Sequence, residues 1–307
     1  MGRARPVGRA WSNEVWRVAA TTGVYAVKLF PTGMTARGRR QLEAGMAFES
    51  LVLGSGKVLV PRPVTASAQW LVELETPAGQ RLARCHSWVA GTPASAPLPL
   101  PLLQTAGAYL GFMHAMDQPG GDTAQLPVFD VDRWERAVRA AARSRIEWAG
   151  LLADLTPLVE DLNADVDPVR AQRRPMRVSH RDYDPRNAVV DQADRLVITD
   201  WDHAGPVLPG VELVTAATSF GTNDAEVAAF VHSYREAGGN ATAADPLAMA
   251  VEAVDLDWLL RNVEACLDSD PATCSVEHHT ARTLIETFPG AVEALRSWPA
   301  RLSAASS

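Results

Sequence analysis

His180-Arg181-Asp182-Tyr183-Asp184-Pro185-Arg186-Asn187 (HRDYDPRN) is the stretch on which the reading of this chain turns. It has the form HxDxxxxN, and thirteen residues after Asn187 stands Asp200, within Val197-Ile198-Thr199-Asp200-Trp201-Asp202-His203-Ala204-Gly205. Short β-rich pieces, MRVS at 176–179, NAVV at 187–190 and RLVIT at 195–199, bracket the two loops. A carboxylate in a loop between strands, an amide five residues on and a second carboxylate beyond a β-hairpin can converge on one point. Such a trio suits phosphoryl transfer. Asp182 would accept or orient a hydroxyl proton, while Asn187 and Asp200 offer hard oxygen ligands for Mg²⁺.

Working toward the N-terminus, the next residue with chemical content is Lys28, in Val24-Tyr25-Ala26-Val27-Lys28-Leu29-Phe30. Alternation puts Lys28 on one strand face with Val24, Ala26 and Phe30. An ammonium there is a compact point charge that can reach between the α- and β-phosphates of ATP. Only two of the 29 basic residues are lysine, Lys28 and Lys57, so the choice of lysine at 28 carries weight. Such a lysine needs an acidic partner, and the following helix offers Glu43, beside Met46 and Ala47, with Glu49 as the second choice. The preceding loop, Gly8 to Glu14, has one glycine and is not a P-loop. Its small polar end, Ser12 and Asn13, is placed to cover phosphates.

Composition sets the frame around these motifs. The chain of 307 residues is 47% hydrophobic and 21% charged, which excludes a disordered or collagen-like protein. The net charge of −7 excludes a general nucleic-acid binder. The first 40 residues carry eight basic side chains against Glu14, or +7, which leaves −14 for residues 41–307. The arginines from Arg133 to Arg145 read as a solvated helix stripe. Three cysteines without a CxxC pair predict neither a disulfide framework nor a zinc site. No apolar run follows the first arginines and none approaches 18 residues, so neither a signal peptide nor a membrane span is expected. The expectation is a reduced, cytoplasmic protein.

The pattern along the chain is α+β. Glu14–Ala20 and Val24–Phe30, joined at Thr21-Thr22-Gly23, predict a hairpin. Residues 36–53 predict a helix stopped by Gly54 and Gly56, and Val58–Val60, Trp70–Leu74 and Leu82–Val89 predict three more strands. The proline-rich 90–101 segment reads as a linker between a lobe at 1–90 and a second at 91–307. Beyond it, 102–117, 131–153, 209–219, 224–237, 246–267 and 276–287 predict helices.

Together these residues resemble the aminoglycoside phosphotransferase and choline-kinase-like family, built on the protein-kinase fold. SNEVWRV at 12–18 and VYAVKLF are similar to its nucleotide loop and lysine strand, VPRPV at 60–64 to the segment after its first helix, and YLGFMH at 109–114 to its LGxxLH helix. HRDYDPRN and DWDHAG are similar to its catalytic and metal-binding loops. Arg181 and Arg186 stand where the family usually has glycine, and no APE-type activation segment follows DWDHAG. The resemblance implies a bilobal protein-kinase-like fold with a small β-rich N-lobe that binds nucleotide and a larger, mainly helical catalytic and substrate-binding C-lobe. It implies Asp182 as catalytic base, Asn187 and Asp200 on Mg²⁺, Lys28 with Glu43 on ATP, and adenine at Cys85–Val89.

The expected acceptor is the hydroxyl of a small molecule. An antibiotic, either an aminoglycoside or another cationic natural product, is the leading reading, and a sugar, homoserine or amino alcohol is the alternative. A protein kinase or a non-catalytic nucleotide-binding relative comes behind both. Residues 251–270 hold six acids, Asp257 among them, against one arginine. Such a run either meets a polycationic substrate or forms a solvated helix face. Trp201, Asp202 and His203, next to the metal pair, are the other candidate acceptor contacts.

Overall fold

In the first ninety residues, β-branched and aromatic side chains alternate with polar ones between turn residues, and the chain forms strands there. The computed structural model describes residues 3–9, 13–31, 34–65, 69–77, 79–125, 130–241, 249–267 and 275–305. Strands β1 (Arg3–Arg9), β2 (Glu14–Ala20) and β3 (Gly23–Leu29) form an antiparallel meander. Helix α1 (Ala36–Ser55) follows, then β4 (Pro63–Val64), β5 (Val72–Thr76) and β6 (Gly79–Ser87). β6 pairs with β3, β4 and β5, so one six-stranded sheet takes in all of them. The predicted strand at Val58–Val60 does not form; Val58 and Val60 are buried, and Leu59 lends its carbonyl to Ile198 N–H at 2.9 Å.

Helix α1 begins where Thr35 Oγ1 accepts from Gly38 N–H at 3.1 Å and ends at Gly56, whose φ of 67° suits a residue without Cβ. Leu42 and Met46, one turn apart, pack with Phe30 and Leu71. Each such side chain removed from water contributes about 1.5–3 kcal/mol.

The proline-rich 90–101 segment is more than a linker, since β7 (Gly91–Pro93) lies within it. After it come α2 (Leu100–Ala115), β8 (Pro119–Asp122), α3 (Val131–Arg143), α4 (Ala149–Asp154) and α5 (Thr156–Ala171). The predicted single helix over 131–153 is two, parted at Arg145, which has φ 53°. Helix α5 was not expected from the sequence. Strand β9 (Pro175–Ser179), β10 (Ala188–Asp191), β11 (Leu196–Ile198) and β12 (Gly205–Val207) bracket the motif loops as expected. β10 pairs with both β11 and β7, and β12 pairs with β9. Helices α6 (Pro209–Phe220), α7 (Asp224–Glu236), α8 (Met249–Leu267) and α9 (Ser275–Ala305) complete the α+β fold.

By packing, the chain groups into two units. One comprises Met1–Gln118, Arg177–Val207 and Ala216–Asn240, the other Pro119–Met176, Leu208–Thr215 and Ala241–Ser307. The small-lobe strands and both motif loops thus fall in one unit, whereas a division at residue 90 separates them. Within that unit α2 meets α7 closely. A Cβ on Gly107 would lie 2.2 Å from Phe230 O, and one on Gly111 2.1 Å from Tyr234 O. His114 Nδ1 lies 2.9 Å from the Tyr234 hydroxyl at the same crossing. The other unit has its own core, in which Trp134, Ala137 and Ala141 of α3 pack with Leu256, Leu260 and Val263 of α8. No described helix is long and apolar enough to cross a membrane.

Candidate active site

The two motif loops are held against each other by backbone and ring contacts. His180 is fully buried, its Nε2 donates to Thr199 O at 2.9 Å, and its ring meets Trp201 edge-on at 4.6 Å. Thr199 N–H donates to Asn187 O at 2.8 Å, and Trp201 Nε1 donates to Ile198 O at 3.0 Å. Tyr183 anchors the first loop by donating its hydroxyl to Ala106 O at 2.9 Å. Asp184 accepts from Arg186 N–H at 2.8 Å and so closes the turn before Asn187. Arg181 (φ 65°) and Asp200 (φ 60°) both adopt the left-handed conformation. For residues with Cβ this costs about 1–2 kcal/mol each, which the surrounding contacts must offset.

Asn187 donates its side-chain amide to Asp182 O at 2.8 Å, an arrangement that fixes the amide and turns its oxygen the other way. Asp182 is partly buried in the same loop, between His180 and Asn187. The Lys28 ammonium, 13% exposed, donates to Asp200 Oδ1 at 2.6 Å and also contacts Asp202 Oδ2. The strand lysine and the second motif loop are therefore in direct contact across 172 residues of sequence. Burial alone would lower the Lys28 pKa, but Asp202 and then Asp200 reverse this and raise it above its ordinary value. An amide oxygen and a carboxylate are hard donors that fit Mg²⁺. Asp200 is paired with the Lys28 ammonium in this structure.

Lys28 does not pair with Glu43. Helix α1 turns Glu43 to solvent, where it accepts from Arg39 Nε at 3.1 Å, and it buries Leu42, Met46, Phe48 and Glu49 instead. Nor does Glu49 reach Lys28. Its carboxylate, fully buried, receives Arg84 Nη2 and lies 2.9 Å from His86 Nε2. Arg84, on β6, is 2% exposed and also donates through Nη1 to Asp202 Oδ1 at 2.5 Å. Burial disfavours its charge, yet Glu49 and Asp202 raise its pKa. Asp202 was expected to touch an acceptor. Its side chain is only 7% exposed and enclosed by Lys28 and Arg84. Burial by itself would raise the carboxyl; the two cations overcome it and hold the pKa at about 2.

Trp201, another candidate acceptor contact, is buried against His180, while His203 is exposed. Asn13 stands partly exposed at the start of β2; Ser12 and the Asp257 side chain lie outside the described residues. Glu264, one of the acids of the 251–270 stretch, is engaged by Arg133 Nε at 2.6 Å. A cavity of about 480 Å³ borders Ser87–Ala90 and is walled by Leu59–Arg62 and the β10–β11 turn. Ser87, Trp88 and Val89 belong to the segment expected to meet adenine, while Lys28, Asp182, Asn187 and Asp200 do not line this cavity.

Arg84, the partner of Glu49, has no mark of its role in the sequence. In a chain where 27 residues are arginine, nothing local marks Arg84. The available signal was alternation along β6, which places Arg84 with Leu82 and His86 on one face.

Among curated proteins none matches this sequence. Solved structures with a similar fold include a spectinomycin phosphotransferase in complex with ADP and spectinomycin (13% identity, 95% of this chain and 93% of that one, TM-score 0.59). They also include a microcompartment-associated aminopropanol kinase (16%, 98% and 93%, TM-score 0.63) and a choline kinase from Streptococcus pneumoniae (14%, 96% and 94%, TM-score 0.58). At these identities the likeness speaks for the fold, and it is the kinase-like fold that the motifs implied. Residues 3–250 match the model of the phosphotransferase enzyme family, and a match over most of the chain decides membership: this protein belongs to the phosphotransferase enzyme family.

Proposed function

We propose that this phosphotransferase moves the γ-phosphoryl group of ATP, with Mg²⁺, to a hydroxyl of a small molecule, and that the leading acceptor class is an antibiotic. The observation that carries the reading is the meeting of Lys28 with Asp200 at 2.6 Å, in a loop that Thr199 N–H ties to Asn187 O at 2.8 Å. In this reading residues 1–90 form the nucleotide lobe and 91–307 the catalytic and acceptor lobe. Lys28 leaves Asp200 for the phosphates, and Asn13 and Ser12 border them. Asn187 and Asp200 hold Mg²⁺, which when bound neutralises charge on the phosphates. Asp182 orients the acceptor hydroxyl and takes its proton. The loose transfer needs positioning and charge neutralisation more than covalent help, and loops tied down by His180, Tyr183 and Trp201 supply a rigid frame.

An amino alcohol is the second acceptor class. Two observations favour it: the likeness to the aminopropanol kinase has the higher TM-score, and Glu264 is already neutralised by Arg133. Glu264, so engaged, offers less to a polycation. The test is a panel of aminoglycosides, other antibiotics, sugars and amino alcohols incubated with γ-labelled ATP and Mg²⁺. Label should pass to one class at a rate that Asp182→Ala lowers at least about a hundredfold. Label transfer to no compound, or full transfer by Asp182→Ala, contradicts the reading.

A further inference from the structure

The buried carboxylate of helix α1 is spoken for. Glu49 is fully buried, and Arg84 and His86 surround it. His86 Nε2 lies 2.9 Å from Glu49 Oε1 and 2.8 Å from Arg84 Nη2, so it can donate to the one or accept from the other. Either way, the described contacts of Lys28 run to Asp200 and Asp202 and not to α1.

The register explains why a second cation sits here. Lys28 and Arg84 are direct partners across β3 and β6, and so share one face of the sheet. Like charges directly opposite one another repel, and both are largely removed from water. Three carboxylates offset them: Glu49 meets Arg84, Asp200 meets Lys28, and Asp202 meets both. Of these three carboxylates Asp200, 33% exposed, is the one that faces outward.

We propose that Arg84 is a positioning residue for nucleotide binding: it joins Glu49 of α1 to Asp202 of the motif loop and thereby aims Lys28. The inference rests on the reading of Lys28 as the phosphate contact. Arg84 suits the task because its guanidinium sends Nη1 to one carboxylate and Nη2 to another in fixed directions, which an ammonium cannot do. Asp202, gripped from both sides, keeps the Lys28 ammonium beside Asp200 and within a short swing of whatever binds there. Close approach of α1 to the loop is built in as well. A Cβ on Gly45 would lie 3.0 Å from Trp201 O and 3.2 Å from Ala204 O. The position of α1 is thus relayed to Lys28 through Glu49, Arg84 and Asp202 in turn.

The alternative is that the cluster merely stabilises the fold, and a thermodynamic cycle separates the two. Removing Arg84 alone strands a buried carboxylate, so Arg84→Met is combined with Glu49→Leu. Affinity for ATP with Mg²⁺ is measured by calorimetry on the full chain, with Lys28 intact and in Lys28→Met carried together with Asp202→Asn, so that no buried carboxylate is left without a cation. With Lys28 intact the paired substitution should weaken ATP about tenfold; in the Lys28→Met background it should change affinity less than about twofold, because there is no ammonium left to aim. Wild-type affinity in the paired variant, or an equal loss in both backgrounds, overturns the proposal. Should the paired variant fail to fold, Arg84→Lys keeps the charge and loses the fork. It should show the same Lys28-dependent loss, several-fold in size, and wild-type affinity there overturns the proposal too. If wild-type protein binds no ATP with Mg²⁺, the reading of Lys28 has failed, and this inference falls with it.

Discussion

Lys28 and Arg84 stand opposite each other on neighbouring strands, and both close on the single carboxylate of Asp202. One cation thereby serves the outward-facing Asp200 and the other the buried Glu49 of α1. Asp202 holds the two together.

The two lysines of the chain should behave differently on replacement by arginine. Lys28 reaches two carboxylates in a tight, largely buried space, where a planar fork fits poorly. Lys28→Arg should lower kcat/KM for ATP by about a hundredfold or more. Lys57 lies 4.7 Å over the Phe112 ring, a contact that arginine makes equally well. Lys57→Arg should leave kinetics and melting temperature unchanged.

Glu43 and Glu49 provide a matched pair on one helix. Glu43 belongs to an exposed i,i+4 pair with Arg39, worth well under about 1 kcal/mol. Glu43→Gln should be silent in thermal melts and in ATP affinity. Glu49→Gln removes the charge that offsets a buried guanidinium, and destabilisation of about 3 kcal/mol or more is expected. Equal effects of the two substitutions would contradict the assignment.

Acid should weaken the protein through Asp202. Its pKa is lowered from 3.8 to about 2, so its stabilisation is fully present above pH 4 and is lost as pH falls toward 2. The shift corresponds to about 2 kcal/mol. Denaturant melts between pH 5 and pH 2 should show this slope, and Asp202→Asn, already weakened at pH 7, should show a shallower one.

Gly107, Gly111 and Gly45 are among the glycines at close approaches. Gly107→Ala and Gly111→Ala set a methyl against backbone oxygens of α7, where nothing can turn aside, and should each cost about 1–3 kcal/mol or more. Gly45→Ala presses on Trp201 O and Ala204 O at 3.0–3.2 Å, so ATP affinity should suffer more than melting temperature does. A loss confined to melting temperature would show that the loop's position does not matter to nucleotide.

What was legible in the sequence was local chemistry. HRDYDPRN and DWDHAG are short, and the residue spacings of their loops follow directly from the strands beside them. Lys28 was legible as a charge in an apolar strand. Its partner was not, because helix phase, not residue spacing alone, turned Glu43 outward and Glu49 inward. Arg84 escaped because its role depends on the β3–β6 register, set between strands more than 50 residues apart. Strand β7 hid among prolines for the same reason: its partner, β10, lies almost a hundred residues on. Helix α5 is obscured by Pro168 and by Asp161, Asp165 and Asp167, which blur its apolar period.

The most direct test of the phosphotransferase site is a comparison of Asp182→Asn with wild type in single-turnover transfer from ATP, with ATP affinity measured alongside. The site as described predicts near-normal ATP binding and a transfer rate lowered by at least about a hundredfold. Transfer at the wild-type rate by Asp182→Asn would contradict it.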